Sequence, residues 1–219
     1  MTSRKKWERI FAHLDSVDFS SKKNLRRLRE VNFFNLTDSN DLILDLFSGR
    51  CDTSYGLQWY RKRVISGDLS FDLLTINGRV KNKIQLNSLS LPFKDGQFNA
   101  VIIQGGLHHL ESFDQIVMCC NEIKRILKAG GYIFISEPGD TVLLKIWLFL
   151  IKKTPLWKLT RYSRNWHFLY KEEEKTHSLY LTNINNFLDY LRKNWVVEIH
   201  KLGLVTEFFA LKNNDNKTC

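Results

Sequence analysis

The stretch 41–57, DLILDLFSGRCDTSYGL, decides how the rest of this 219-residue chain is read. It begins with an apolar run closed by an acid, Asp45, bends at Ser48 and Gly49, and then enters a helical pattern. A short run of leucine and isoleucine bounded by a turn signal is the pattern of a strand buried in a parallel sheet. Gly49 gives the bend a residue without a Cβ, and Asp52 and Thr53 are residue types that cap helix N-termini. Strand, glycine turn and helix together aim backbone N–H groups at a nucleotide-like ligand beyond the carboxyl end of a sheet. On these residues alone, a buried strand followed by an ordinary turn reads equally well.

Working outward, strands and helices alternate. Residues 53–63 are expected to be a helix, 64–68 a strand, 69–76 a helix and 83–87 a strand. Residues 98–104, FNAVIIQ, form a third buried apolar run. In 112–128, Ile116, Cys120, Ile123 and Leu127 mark a helical stripe that ends at Ala129, Gly130 and Gly131, a left-handed stop signal. Residues 132–137 suit another strand. This alternation implies βαβ units and an open parallel sheet covered on both faces. Residues 142–180 are aromatic and basic without a clean period, 183–192 are helical, and 196–202 and 206–212 alternate as a hairpin around Gly203. Before the first strand, Trp7, Ile10, Phe11 and Leu14 stand at helical spacing, so residues 1–40 are expected to cover an edge of the domain.

Composition narrows the class. Hydrophobic residues at 43% and charged residues at 26% are ordinary for a globular chain, and the length suits one domain with a full core. Cys51, Cys119, Cys120 and Cys219 lack metal-ligand spacing, and the adjacent pair is a poor disulfide candidate. A reducing, cytoplasmic setting and no metal are therefore expected. The charged opening 1–14 is unlike a signal peptide, and the apolar run around 142–151, broken by Lys145, is shorter than the roughly 20 residues a membrane span needs. The net charge of +10 favours an anionic partner or an unremarkable basic surface.

A second signal is Asp68, 23 residues after Asp45, in the segment VISGDLS. An acid ending the second strand is placed to accept hydrogen bonds from a ribose diol. A dinucleotide fingerprint would need three glycines where this chain has Phe47, Gly49 and Asp52, which counts against a nicotinamide cofactor. The third signal is NSLSLPFKDGQFNAVIIQGGLHHL from Asn87 and EIKRILKAGGYIFISEP from Glu122. With LDLFSG and SGDLS these segments closely resemble the class I S-adenosylmethionine-dependent methyltransferases, nearest to the small-molecule branch that includes quinone-biosynthesis enzymes. The match runs over about 41–138 in the family's order and spacing.

The resemblance implies a three-layer, Rossmann-like α/β sandwich with a mostly parallel seven-stranded sheet and an antiparallel C-terminal hairpin. It implies one methyltransferase domain over 1–219, with 1–40 as a helical cover and 139–181 as a lid-like insertion. The implied cofactor is S-adenosylmethionine. Asp45, Phe47, Ser48 and Gly49 would lie beside its methionine and ribose, Asp68 on the ribose, and Leu69, Asn87 and Ser88 around the adenine. Leu91, Pro92 and Phe93 shape the loop before the fourth strand, and Gln104 and Gly105 would end that strand beside the transferable methyl. His108 and His109 would face the acceptor and take its proton, with Glu137 as a partner. Trp166, His167 and Tyr170 are expected to contact the acceptor, and Cys119 and Cys120 to pack within a helix.

Two departures stand out. The family's first motif usually has glycine at three alternate positions, here Phe47, Gly49 and Cys51, so the Cys51 side chain is expected to crowd the cofactor. Asn87 stands where many members have Asp, which softens adenine binding but keeps an acceptor oxygen. The favoured activity is methyl transfer to a small-molecule or lipid-linked acceptor at O or C, with peripheral membrane contact through the lid. An RNA methyltransferase and a non-enzymatic binding subunit are the alternatives. The first lacks an Asn/Asp-Pro-Pro-aromatic tetrapeptide, and the second rests on Cys51 and Asn87.

Overall fold

Successive side chains of a strand go to opposite faces of its sheet, so a strand apolar at every position must be covered on both sides. The structure, a computed structural model, describes residues 21–214, so the pattern around Trp7 to Leu14 and Cys219 lie outside the described residues. In β1 (Leu42–Leu46), Leu44 and Leu46 enter one apolar cluster and Ile43 the other, all at most 1% exposed. Around β1 stand β2 (Arg63–Asp68), β3 (Lys83–Gln85), β4 (Phe98–Gln104) and β5 (Leu127–Pro138), followed by β6 (Val196–Leu202) and β7 (Thr206–Lys212). The seven strands are ordered β3-β2-β1-β4-β5-β7-β6. The first five pair in parallel, and β7 runs antiparallel between β5 and β6. This is the mixed α/β sheet with a closing hairpin that the alternation implied.

Helices cover both faces. α1 (Ser21–Glu30), α2 (Phe33–Leu36) and α3 (Asp52–Gln58) bring Leu25, Leu28, Phe33 and Leu57 onto Ile43, Ile102, Phe134 and Ala210. The N-terminal segment, where described, therefore covers the middle of a sheet face and not an edge. α4 (Phe71–Ile76) flanks β2 and β3. On the opposite face, α5 (Phe113–Ile126) and α8 (Ile184–Asn194) pack Ile116, Cys120, Ile123, Phe187 and Leu191 against Val101, Ile103, Ile133 and Phe209. Cys119 and Cys120 are buried thiols of that layer, as expected, and burial pushes Cys119 up to about 12.

The structure departs from the sequence reading at five places. α3 ends at Gln58 because Arg61 turns left-handed (φ 54°) and the Lys62 N–H returns to the Leu57 carbonyl, so Arg63 already belongs to β2. α5 stops at Ile126, where Leu127 extends to pair with Phe98; Ala129, Gly130 and Gly131 lie inside β5, with Gly130 at φ 71° donating to the Asn213 carbonyl. α4 starts at Phe71 behind a Ser70 cap, and β3 stops at Gln85. The aperiodic 142–180 stretch is almost wholly helical, as α6 (Val142–Lys153), a 3-10 turn (Pro155–Lys158) and α7 (Arg161–Thr182). Thr141 caps α6, and Thr160 with Ser163 forms a capping box on α7. Aromatic rings spread around both helices hid their period.

Candidate active site

The loop after β1 takes a left-handed backbone at three alternate residues: Phe47 (φ 58°), Gly49 (φ 49°) and Cys51 (φ 60°). These are the positions where the sequence comparison expects glycines, so the chain keeps a glycine-type path with two side chains on it. Each non-glycine residue in that region costs about 1–2 kcal/mol. Burial offsets the cost. The Phe47 ring lies over Gly106, where an added Cβ would come within 2.4 Å of it. Cys51 is fully buried with Leu74 and Val80, its Sγ 3.9 Å from the Leu74 carbonyl. The thiol turns away from the cavity, which corrects the expectation that it crowds the cofactor. Cys51, not Asp52 or Thr53, occupies the N-cap of α3, without a side-chain cap bond. A Cβ at Gly49 would meet nothing within 4 Å, so this residue faces open space.

Asp68 closes β2 directly against the bend. Its Oδ2 accepts from the Gly49 N–H at 2.8 Å and its Oδ1 from the Ser70 N–H at 2.9 Å. Burial raises this carboxyl, and the N–H groups of Ser70, Gly49 and Leu69 pull the other way. Asp45 lies deeper. It accepts from the Ser54 N–H and hydroxyl at 3.1 and 2.7 Å, and burial raises it to about 7 against those bonds. Ser66 donates on to Ser54 at 2.6 Å, tying β2 to α3.

A cavity of about 1130 Å³ starts here, larger than the roughly 300–1,000 Å³ typical of a single-ligand site. Asp45, Phe47, Ser48, Gly49, Asp68, Leu69, Asn87, Ser88, Gln104, Gly105, His108, His109 and Glu137 all line it. So do Trp166 and Tyr170, whereas His167 does not: its Nδ1 lies 2.9 Å from the Ile151 carbonyl and its ring stacks on Trp157. Four buried polar atoms around the cavity, Ser48 Oγ, Arg50 Nε, Gln104 Oε1 and Ser136 Oγ, have no hydrogen-bond partner among the described residues. A bound polar ligand would satisfy such atoms. Asn24 of α1 also reaches the wall, donating to the Thr53 hydroxyl at 2.9 Å and accepting from Gln104 through its carbonyl at 3.3 Å.

The far end is organised by Glu137, 1% exposed at the end of β5. Its Oε1 accepts from the N–H groups of Gly106 and Leu107 at 2.7 and 2.8 Å, holding the 3-10 turn (Leu107–His109). Its Oε2 meets His108 Nδ1 at 2.6 Å. Burial alone would lower His108, but the Glu137 and Glu173 carboxylates outweigh it and raise the imidazole to about 9. Glu173, on α7, stands 3.6 Å from His108 Nε2 and 3.7 Å from His109 Nε2. His177, one turn on, is pushed down to about 4 by burial and then by the charge of His108. The sequence reading missed Glu173 and His177. Trp166, Tyr170, Glu173, His177 and Tyr180 recur at three- and four-residue steps, a stripe that would have identified one helical face.

Comparison with known proteins agrees with this geometry. Residues 44–135 match the family model described as a methyltransferase domain. A demethylmenaquinone methyltransferase of Thermobifida fusca is 33% identical over 107 residues, 45% of this chain and 44% of that protein. The same-named protein of Oceanobacillus iheyensis is 25% identical over 155 residues, 63% and 62% of the two chains. The chain thus spans about half to three-fifths of the curated relatives it matches. Among solved structures, a SAM-dependent methyltransferase of Methanosarcina mazei superposes with TM-score 0.64 at 14% identity, covering 84% of this chain and 97% of its own. A Haemonchus contortus phosphoethanolamine N-methyltransferase, in complex with phosphomonomethylethanolamine and S-adenosylhomocysteine, has TM-score 0.57 at 15% identity over 98% of this chain and 61% of its own. Among the described residues, no helix is long and apolar enough to cross a membrane. Matched domain, motif order and fold coincide: residues 44–135 match a methyltransferase domain, and the fold is shared with a solved SAM-dependent methyltransferase.

Proposed function

We propose that this chain transfers the methyl group of S-adenosylmethionine to an oxygen or carbon of a small acceptor with an apolar tail. The observation that carries this reading is one cavity with two unlike ends, large enough for two ligands. At one end, the Asp68 carboxylate is the ribose acceptor, the Gly49 bend leaves room for the sugar and methionine, and Leu69, Asn87 and Ser88 hold the adenine. The orphaned Ser48, Gln104 and Ser136 oxygens fit a polar cofactor there. The cofactor, when bound, supplies a methyl group on a positively charged sulfur.

Such a donor is already activated, so alignment and water exclusion are the protein's main contributions. Gln104 and Gly105 border the meeting point of the two ligands. His108 and His109 present ring nitrogens to the reacting end of the acceptor, and Glu137 holds His108 in orientation. Trp147 and Leu148 of α6 and Trp166 and Tyr170 of α7 complete the acceptor wall, so 139–181 acts as its lid. Val142, Ile146 and Phe149 are exposed on the outer side of α6 near Lys153, which supports contact with a lipid surface. The relatives named demethylmenaquinone methyltransferase support a quinone-type ring as the acceptor class.

The test is transfer of labelled methyl from S-adenosylmethionine to three acceptors: a demethylated naphthoquinol with an isoprenoid tail, the same ring without the tail, and RNA. Labelling of the tailed quinol above the tailless ring is expected. Binding of S-adenosylhomocysteine with labelling of RNA alone would overturn the acceptor class, and no cofactor binding would overturn the whole reading.

A further inference from the structure

The acceptor end carries a side-chain cluster with the attributes of a metal centre. His108, His109 and Glu173 each offer one ligand atom, and these atoms all lie within 4.8 Å of one another. The two Nε2 atoms stand 3.6 and 3.7 Å from separate oxygens of Glu173, longer than direct N–H···O hydrogen bonds. Imidazole nitrogens and carboxylate oxygens bind divalent transition metals at about 2.0–2.2 Å, which sets donors on one ion roughly 3.0–3.6 Å apart. The histidine–carboxylate distances lie close to that range, and the whole set, within 4.8 Å, closes on one ion with a contraction of up to roughly 1–2 Å.

The support around the cluster is equally specific. Glu137 Oε2 lies 2.6 Å from His108 Nδ1 and retains the proton there, so a cation that displaces the Nε2 proton finds that nitrogen's lone pair facing Glu173. Glu137 is itself fixed by two backbone N–H groups of the turn that carries both histidines. The third ligand comes from a different element, α7, so an ion would bind the lid to the turn. Three protein ligands on one side leave coordination positions toward the cavity, as in catalytic sites and unlike closed four-ligand structural ones.

We propose that His108, His109 and Glu173 bind one divalent transition-metal cation of the Zn²⁺, Mn²⁺ or Fe²⁺ class, with its open positions turned to the acceptor. Two imidazoles with one carboxylate favour that class over Mg²⁺ or Ca²⁺. Resting on the reading that the acceptor occupies this end, the ion would bind the acceptor's hydroxyl oxygen through a lone pair. The hydroxyl proton would be released to solvent, and no electron transfer is involved.

The tag-free chain, stripped with chelator, is titrated with Co²⁺ as a spectroscopic probe while S-adenosylhomocysteine binding is measured separately by calorimetry. One equivalent of Co²⁺ giving a visible ligand-field band is expected. Its affinity should fall at least tenfold in both Glu173→Gln and His109→Asn, each checked for an unchanged circular dichroism spectrum. Absence of uptake in the wild type, or uptake that survives both substitutions in folded protein, would overturn the proposal and leave a purely ionic histidine–glutamate network. Because the cofactor residues are separate, S-adenosylhomocysteine binding without metal uptake rejects the ion alone, and its loss rejects the cofactor reading.

Discussion

The two ends of the cavity are built in opposite ways. At the cofactor end, groups close in sequence meet through backbone: the 47–51 bend takes three left-handed residues, and Gly49 donates to an acid 19 positions away. At the acceptor end, the turn, the end of β5 and α7 bring together charged side chains that are nearly inaccessible to water. The first end tolerates little new volume, and the second tolerates little change of charge. Substitutions should therefore fail differently at the two places.

The largest effect is expected from Gly49→Val. A branched side chain at φ 49° is strained by about 1–2 kcal/mol and projects into the open cavity. S-adenosylhomocysteine affinity should fall on the order of a hundredfold, equivalent to about 3 kcal/mol, by calorimetry. Unchanged affinity would break the assignment of this end. Asp68→Asn should follow, with a loss of roughly ten- to a hundredfold, since hydrogen bonds to a charged group contribute about 1.5–3 kcal/mol. Glu137→Gln sharpens the contrast. Methyl transfer should drop by about tenfold or more while cofactor affinity stays within about threefold, as for other groups that orient a functional histidine. A parallel loss of cofactor binding would show that the two ends are not separable.

Two smaller tests concern the base of the cofactor end. Asp45 is raised to about 7 in the fold from 3.8, so between those pH values the folded chain holds a proton that the unfolded chain has released. The contribution of Asp45 to stability therefore declines as pH rises from about 4 to about 7 and levels off above it, against the opposite slope from His177 and before the later decline from His108. The difference in thermal stability between wild type and Asp45→Asn should carry that slope across the window, and a difference that does not vary with pH would assign the proton elsewhere. Cys51→Gly relieves a left-handed side chain and loses a buried thiol, contributions of about 1–2 kcal/mol each with opposite sign. Stability should change by less than about 1 kcal/mol and cofactor affinity hardly at all. A marked gain in affinity would mean that the thiol does intrude on the cofactor.

Legibility in the sequence followed the same division. FNAVIIQ matched β4 residue for residue, and the hairpin strands also matched, because two-faced apolar runs and alternation are local patterns. Asp68 against Gly49 was legible because strand and turn spacing dictate where the end of β2 falls. The direction of the Cys51 side chain was not, since it depends on the pocket that Leu74 and Val80 make after folding. His167 looked equivalent to Trp166 and Tyr170 in sequence, but the rotation of α7 sends it to the Ile151 carbonyl.

The amino-acid order by itself determined the alternating elements, the glycine-type bend and the acid beside it, because each depends on neighbours within a few tens of residues. Only the tertiary structure decided that Glu173 and His177 complete the end where Glu137 grips His108, and that the third left-handed position points its thiol away from the cavity. Those outcomes depend on how separate elements pack, and burial gives a buried charge or an apolar side chain its partners only once the sheet and both helical layers have closed.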